Sequence, residues 1–251
     1  MNEPEILIEK ADFLIINKPA GLVVHSDGRT KEATLCDWLV EKYPNIRGVG
    51  EPLTLSDGRE IDRPGIVHRL DRETTGAMVV ALTQEMFGHL KKQFQNHEVK
   101  KIYHAFVYGS VKEERGVIDR PIGKSKSDFR QWSAQRGARG EMRPAVTNFK
   151  VLERGEAEVP EGSKDRTTHG CERYTFIEAE PKTGRTHQIR VHMKAINHPL
   201  VADSLYAQGK PAILGFTRTA LHARSLSFTD LSGERISAEA PYPDDFVEAL
   251  L

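Results

Sequence analysis

The sequence predicts a mixed α+β fold built on a mainly antiparallel sheet with flanking helices and loops. Three observations lead there. Short apolar runs at Ile6 to Ile8, Phe13 to Asn17 and Leu22 to His25 are separated by polar or turn-forming residues, as in hairpin-linked strands. Val99 to Gly109 alternates with a period of two, the repeat of a strand. Two further stretches repeat their apolar residues every three or four positions, as amphipathic helices do.

In chain order, the first two strands are split by Glu9 to Asp12, and Lys18-Pro19-Ala20-Gly21 is turn chemistry before Leu22 to His25. Leu35, Trp38, Leu39 and Tyr43 share one helical face, and Pro44 stops that helix. Asn45 to Pro64 is a loop rich in Gly, Pro and charge. Ala77 to Leu82 is a strand, and Thr83 caps a helix with Met86, Phe87, Leu90 and Phe94 inward and Lys91 and Lys92 outward. Val99 to Gly109 fits a half-buried strand, with Ile102, His104, Phe106 and Tyr108 on one side and Lys101, Tyr103, Ala105 and Val107 on the other. Ser110 to Gly170 is the least regular third, with one strand around Val146 to Leu152. Tyr174 to Glu180 is a strand, and Thr183 to Met193 a turn feeding a helix on which Thr186, Arg190 and Lys194 share a face. Ala220 to Phe228 is a strand and Asp244 to Leu251 a short closing helix.

Composition sets the limits of function. With 251 residues, 38% of them hydrophobic, the chain can build one sizeable core, and residues 1–251 read as a single domain with a basic, polar insertion at 124–170. No stretch has the pattern of a secretion signal or approaches the roughly 18 apolar residues of a membrane span, so a soluble, cytoplasmic protein is expected. Cys36 and Cys171 lack the spacing of a zinc knuckle or redox pair and read as reduced thiols. The 36 basic and 36 acidic residues balance, which argues against indiscriminate coating of nucleic acid. Their distribution is uneven. Arg115 to Arg143 holds eight Lys or Arg against three acids, Lys182 to Lys194 holds four bases and no acid, and six acids follow from Asp230 onward. A polyanion docking on one face accounts for such segregation, and ordinary solvated charge accounts for it as well.

The most pointed stretch is His68-Arg69-Leu70-Asp71-Arg72-Glu73-Thr74-Thr75-Gly76, a carboxylate between arginines in a loop that enters a strand. It is either a structural ion pair or a poised group. A kinase catalytic loop is excluded by the intervening Leu70 and by the absence of a Gly-rich phosphate loop and an Asp-Phe-Gly. Neither a nucleophile elbow nor a P-loop occurs. Glycosidase chemistry needs a second carboxylate, for which Glu73 and Asp203 stay open. His187 and His192 are five apart, not the four that bring two imidazoles to one metal on a helix, and no metal is expected. Gln131 to Gly140 mixes basic residues, glycine and Trp132, suited to a mobile loop that touches phosphates and stacks on a base and equally to a solvated insertion.

Four separated blocks make the chain resemble a pseudouridine synthase of the RluA type. They are Asn17 to Gly21 with His25, His68 to Ala81, Lys101-Ile102-Tyr103-His104-Ala105, and Gly184 to Met193 followed by Leu221-His222-Ala223, framing roughly residues 6–228. The resemblance implies the central sheet of that fold with a basic catalytic cleft. It implies isomerisation of uridine to pseudouridine in structured RNA, ribosomal or transfer, without metal or cofactor. Position by position, Asp71 is the catalytic aspartate, Tyr103 the tyrosine lying against the base, and Arg190 the arginine that pairs with the aspartate. Leu221 packs by the base, and His68, Arg69, Thr75 and Lys101 complete the substrate-binding set. The cost of flipping the base out must be recovered by contacts to the RNA backbone, for which Lys91, Lys92, Arg136, Arg139 and Arg185 are the candidates.

Two departures stand out. Thr74-Thr75-Gly76 replaces the commoner Thr-Ser-Gly, and Ala202-Asp203 replaces Gly-Asp. Many relatives carry an RNA-binding S4 domain ahead of the catalytic part, whereas this sequence starts almost at the catalytic pattern, so RNA contact is expected from the catalytic domain of a monomer with no obligate protein partner. The alternatives are a nucleosidase or glycosylase on RNA, and a non-catalytic RNA-binding or RNA-folding protein on the same fold.

Overall fold

The structure, a computed structural model, describes residues 3–26, 28, 31–55, 58–126, 128–135, 138–160 and 170–251. In chain order the first elements are β1 (Glu5–Glu9), β2 (Phe13–Lys18), α1 (Leu35–Lys42), β3 (Leu53–Thr54), β4 (Glu60–Ile61), β5 (Thr75–Ala81) and α2 (Gln84–Gln95). Then come β6 (Lys100–Tyr108), β7 (Arg115–Asp119), β8 (Ile122–Lys124), β9 (Trp132–Ser133), β10 (Arg139–Arg143), β11 (Val146–Glu158) and β12 (Cys171–Pro181). The chain closes with α3 (Gln188–Ala195), β13 (Leu221–Thr229), β14 (Arg235–Glu239) and α4 (Asp244–Ala249). The architecture is α+β, and no described helix is long and apolar enough to cross a membrane.

The chain forms two compact units, residues 1–101 with 223–241 and residues 102–222 with 242–251. In the first, β1, β2 and β5 pair antiparallel in that order, β13 lies beside β5, and β14 pairs with β13. Phe13 and Ile15 of β2 and Ala77, Val79 and Ala81 of β5 enter one cluster with Met86, Phe87 and Leu90 of α2 and Leu226 and Phe228 of β13. The rings of Phe13 and Phe228 meet edge to face at 5.1 Å. Each of the buried Phe, Ile, Val, Leu and Met side chains contributes roughly 1.5–3 kcal/mol, so the apolar stripe of α2 is secured mainly by packing. Thr83 caps α2 by accepting the Met86 N–H at 3.2 Å. Thr34 and Asp37 form a reciprocal capping box at the start of α1. Leu22 to His25 is not a strand. Leu22 and Val24 are buried there, and only an isolated bridge joins Val23 to Thr34.

In the second unit the order is β6-β12-β11-β7, each pair antiparallel. The expectation of a half-buried β6 is corrected in its C-terminal half. Ala105 and Val107 enter one cluster with α3, while Phe106 and Tyr108 enter another with Phe216 and Phe246. The irregular reading of Ser110 to Gly170 is corrected too. β11 continues past Leu152 to Glu158 because β12 supplies a ladder as far as Cys171, with a register shift between Val151 and Glu153. A polar run such as Glu153 to Glu158 carries no periodic apolar signal, so only its partner strand makes it β. Strands β10, β8 and β9 form a separate small antiparallel sheet inside the expected insertion.

Candidate active site

In the first unit the Asp71 loop is fixed through its backbone. Lys18, with no exposed surface, donates from Nζ to the carbonyls of Pro19 and Leu22 at 2.8 Å each and of Arg72 at 3.1 Å. The Gly21 N–H donates to the same Arg72 carbonyl at 2.9 Å, from a turn whose φ of +81° suits glycine. Thr74 N–H closes the loop on the Asp71 carbonyl at 3.1 Å. Thus Lys18 to Gly21, which reads as a plain turn, clamps the residue next to Asp71. Gly76 ends the loop with φ +113°, and a Cβ there would lie 2.2 Å from the Ala223 carbonyl, so β5 and β13 approach where only glycine fits.

Around this loop His68 accepts the Val79 N–H at Nε2, 3.1 Å away, which leaves the proton on Nδ1. Its ring stacks on Phe94 at 4.7 Å. Burial, assisted by the nearby Lys101 charge, pushes the His68 imidazole down to about 3, so it is neutral at physiological pH. Burial likewise pushes the Lys101 ammonium down to about 8, and its Nζ lies 5.8 Å from the Phe94 centroid. Arg69 is exposed, and its guanidinium donates to His25 Nε2 at 3.0 Å, while His25 Nδ1 lies 2.9 Å from the Ser26 carbonyl. Burial holds His25 below its ordinary value, consistent with a neutral acceptor. Asp71 is half-buried and Thr75 buried. Lys91 is bonded to Glu51 at 2.5 Å, a surface pair of little net worth, and Lys92 is exposed.

In the second unit Tyr103 and Ile196 pack against a cluster that includes Leu221, Ala105, Ala179, Ile189 and Met193. The Leu221 carbonyl accepts from Arg218 at 3.3 Å. Arg218 is also paired through Nε with Asp245 at 2.8 Å. Helix α3 starts at Gln188, after His187 in the left-handed region (φ 55°). The buried Gln188 amide accepts from Thr183 Oγ1 and Arg185 N–H and donates to the Val146 carbonyl and Thr147 Oγ1. Thr186 therefore precedes the helix and does not share its face with Arg190 and Lys194.

Arg190 is buried and donates from Nε and an Nη to the two Asp203 oxygens at 2.7 and 2.8 Å. One Asp203 oxygen also accepts the N–H groups of Leu205 and Tyr206 at 3.0 Å each. Asp203, open from sequence as a second glycosidase carboxylate, is thus committed to orienting Arg190. Sequence reading missed this role because the pair is thirteen residues apart, beyond any helical spacing. The only available signal was an acid after Ala202 where the family carries Gly-Asp. Ala202 itself takes a left-handed φ of 54°. His192 is buried between Thr147 Oγ1 and the Arg120 carbonyl, 2.9 Å from each.

Asp71, His68, Arg69, Thr75, Lys101, Lys91 and Lys92 therefore lie in the first unit, and Tyr103, Arg190, Leu221, Arg139 and Arg185 in the second. Arg139 is exposed on β10 opposite Lys124 of β8. Arg185 donates to the Pro144 carbonyl at 3.1 Å. Arg136 lies outside the described residues.

Comparison with known proteins supplies the frame for these residues. The family model described as RNA pseudouridylate synthase matches residues 12–195. An uncharacterized RNA pseudouridine synthase of Synechocystis is 38% identical over 248 residues, covering 98% of this chain and 68% of that protein. The ribosomal large subunit pseudouridine synthase D of Neisseria meningitidis serogroup B is 38% identical over 256 residues, covering 98% of this chain but 60% of its own length. Among solved structures, human RNA pseudouridylate synthase domain containing 1 superposes with a TM-score of 0.71 at 26% identity, over 96% of this chain and 84% of that one.

Proposed function

Because the chain belongs to the RNA pseudouridylate synthase family, we propose that it isomerises uridine in a structured RNA to pseudouridine, with Asp71 as the carboxylate that engages the ribose. The observation that carries this reading is the Asp71 loop, held by Lys18 and Gly21 and framed by the four sequence blocks of the family. The family match runs across both compact units, which supports treating residues 1–251 as one catalytic domain.

The reaction breaks the bond from the anomeric carbon to N1 of uracil, turns the base, and joins the sugar to C5, which then gives up its proton while N1 ends protonated. The Asp71 carboxylate either attacks the anomeric carbon, displacing the base, or removes a ribose proton to give a glycal. Tyr103 and Leu221 are assigned to the faces of the base, which must be gripped by its faces and free to turn. Arg190, oriented by Asp203, is assigned to the charge of the Asp71 carboxylate. Arg69 on the loop surface is assigned to the place the flipped nucleotide leaves.

Ribosomal RNA is the favoured substrate, since the Neisseria relative is described as acting on the large ribosomal subunit, and the cytoplasm is the matching location. Mapping pseudouridine across cellular RNA with and without the protein tests the target. Asp71→Asn is expected to abolish isomerisation while RNA binding persists, and retained activity sinks the assignment. Release of free uracil in place of pseudouridine selects the nucleosidase alternative.

A further inference from the structure

We infer that Tyr206 is a positioning residue that couples the small β8–β10 sheet to the orientation of Arg190. Tyr206 is almost fully buried, and five separate contacts converge on it. Its ring lies under the Arg190 guanidinium, with Cζ 5.1 Å from the centroid, and under Lys194 Nζ at 5.5 Å. Its backbone N–H donates to the Asp203 carboxylate that grips Arg190. Its hydroxyl accepts the Trp132 backbone N–H of β9 at 2.9 Å. The same oxygen lies 2.9 Å from His187 Nδ1, within hydrogen-bond distance. One side chain thus touches the guanidinium, the strained residue that opens the Arg190 helix, and the edge of the small sheet.

The small sheet has a second tie to the same loop, because Gln131 donates through Nε2 to the Leu205 carbonyl at 2.7 Å. Ile122 and Trp132 pack with Val191 and Tyr206 in one cluster. Cross-strand neighbours point to the same face of a sheet. In register, Lys124 stands between Trp132 and Arg139, so the face seated on Tyr206 also carries this cationic pair. A displacement of the sheet by a polyanion would reach Arg190 through the Tyr206 hydroxyl and ring, and a guanidinium held by a fixed carboxylate on one side and a fixed ring on another has little freedom left.

The consequence for the reaction rests on the proposed role of Arg190 at the uridine, so the test has one readout that depends on that role and one that does not. Hydrogen exchange of the Arg190 Nε–H and of the Trp132 amide is followed by NMR in the wild type, in Tyr206→Phe and in Gln131→Ala, the last guarding against a Tyr206 variant that fails to fold. Both groups should exchange faster in each variant, and the Trp132 N–H by about tenfold in Tyr206→Phe, where it loses its acceptor. An Arg190 Nε–H that stays within about twofold of the wild type while the Trp132 amide accelerates overturns the coupling. On an RNA that the wild type modifies, Tyr206→Phe should lower kcat by about tenfold and leave KM within about twofold. A rise in KM alone also overturns it. A wild type that forms no pseudouridine defeats the proposed function, and the exchange measurement still decides on Tyr206.

Discussion

Replacing Lys18 by methionine tests whether the buried ammonium holds the Asp71 loop. Methionine nearly keeps the length and the apolar stem but removes three donors, to Pro19, Leu22 and Arg72 carbonyls. The Arg72 carbonyl retains the Gly21 N–H at 2.9 Å, whereas those of Pro19 and Leu22 lose their ammonium donor. The buried Leu22 carbonyl left without a donor costs roughly 1–3 kcal/mol, and the half-buried Pro19 carbonyl, within reach of water, costs about 1 kcal/mol. Removing the desolvation penalty of the ammonium returns part of this, for a net loss of about 1–3 kcal/mol. For a chain of this size each kcal/mol moves Tm by roughly 2–4 °C, giving a fall of about 2–12 °C. Thermal unfolding followed by circular dichroism measures it, with the exposed Lys92→Met as a control expected within about 0.5 kcal/mol of wild type. Isomerisation assayed well below Tm should fall as well, because the carbonyl of the residue after Asp71 is then held by the Gly21 N–H alone. A Lys18→Met protein that melts within about 2 °C of wild type refutes the clamp.

Other outcomes follow from single contacts. His68 has a folded pKa of about 3 against an ordinary 6.5. The unfolded chain therefore binds a proton that the folded chain refuses between those values, and the stability His68 contributes is full above pH 6.5 and lost as pH falls toward 3. His68→Gln should flatten acid unfolding in that window, and an unchanged acid limb rejects the neutral assignment. Ala202 sits at a left-handed φ of 54°, so Ala202→Gly should stabilise by up to about 1 kcal/mol, read from a denaturant midpoint; a loss of stability contradicts the strain. Lys124 and Arg139 stand directly opposite on neighbouring strands, where like charges repel unless an anion binds them. The double alanine variant should weaken RNA binding and reduce the salt slope by about 1–2, while an unchanged slope returns these residues to ordinary surface.

Much of the scaffold was legible because its signals are local. The apolar alternation of β6, the three-and-four spacing of α2 with Thr83 before it, and Pro44 after α1 each depend on residues within a turn or two. The elements that escaped are those a partner creates. Polar Glu153 to Glu158 becomes strand only against β12, and Arg235 to Glu239 becomes β14 only against β13. Trp132-Ser133 and Arg139 to Arg143 become a sheet around β8, although their glycine and basic residues read as loop. The helix of the fourth block starts two residues later than Thr186, because His187 turns left-handed and Gln188 satisfies the chain ends before it.

For the candidate site, the order and spacing of four short blocks were enough to identify the family, because a family's chemistry constrains residue types at fixed positions along the chain, and the same pattern proposes Asp71, Tyr103 and Arg190. What those side chains lean on was decided in three dimensions. Lys18 looked like turn punctuation and is a buried clamp fifty-four residues from the carbonyl it holds. Asp203 looked like a spare carboxylate and is the bidentate partner of Arg190. Tyr206 carried no signal at all and is where a strand, a helix start and a guanidinium meet. Burial is the physical reason: a polar group removed from water must find its partner wherever the fold places one, and that distance is written in the packing and not in the spacing of the chain.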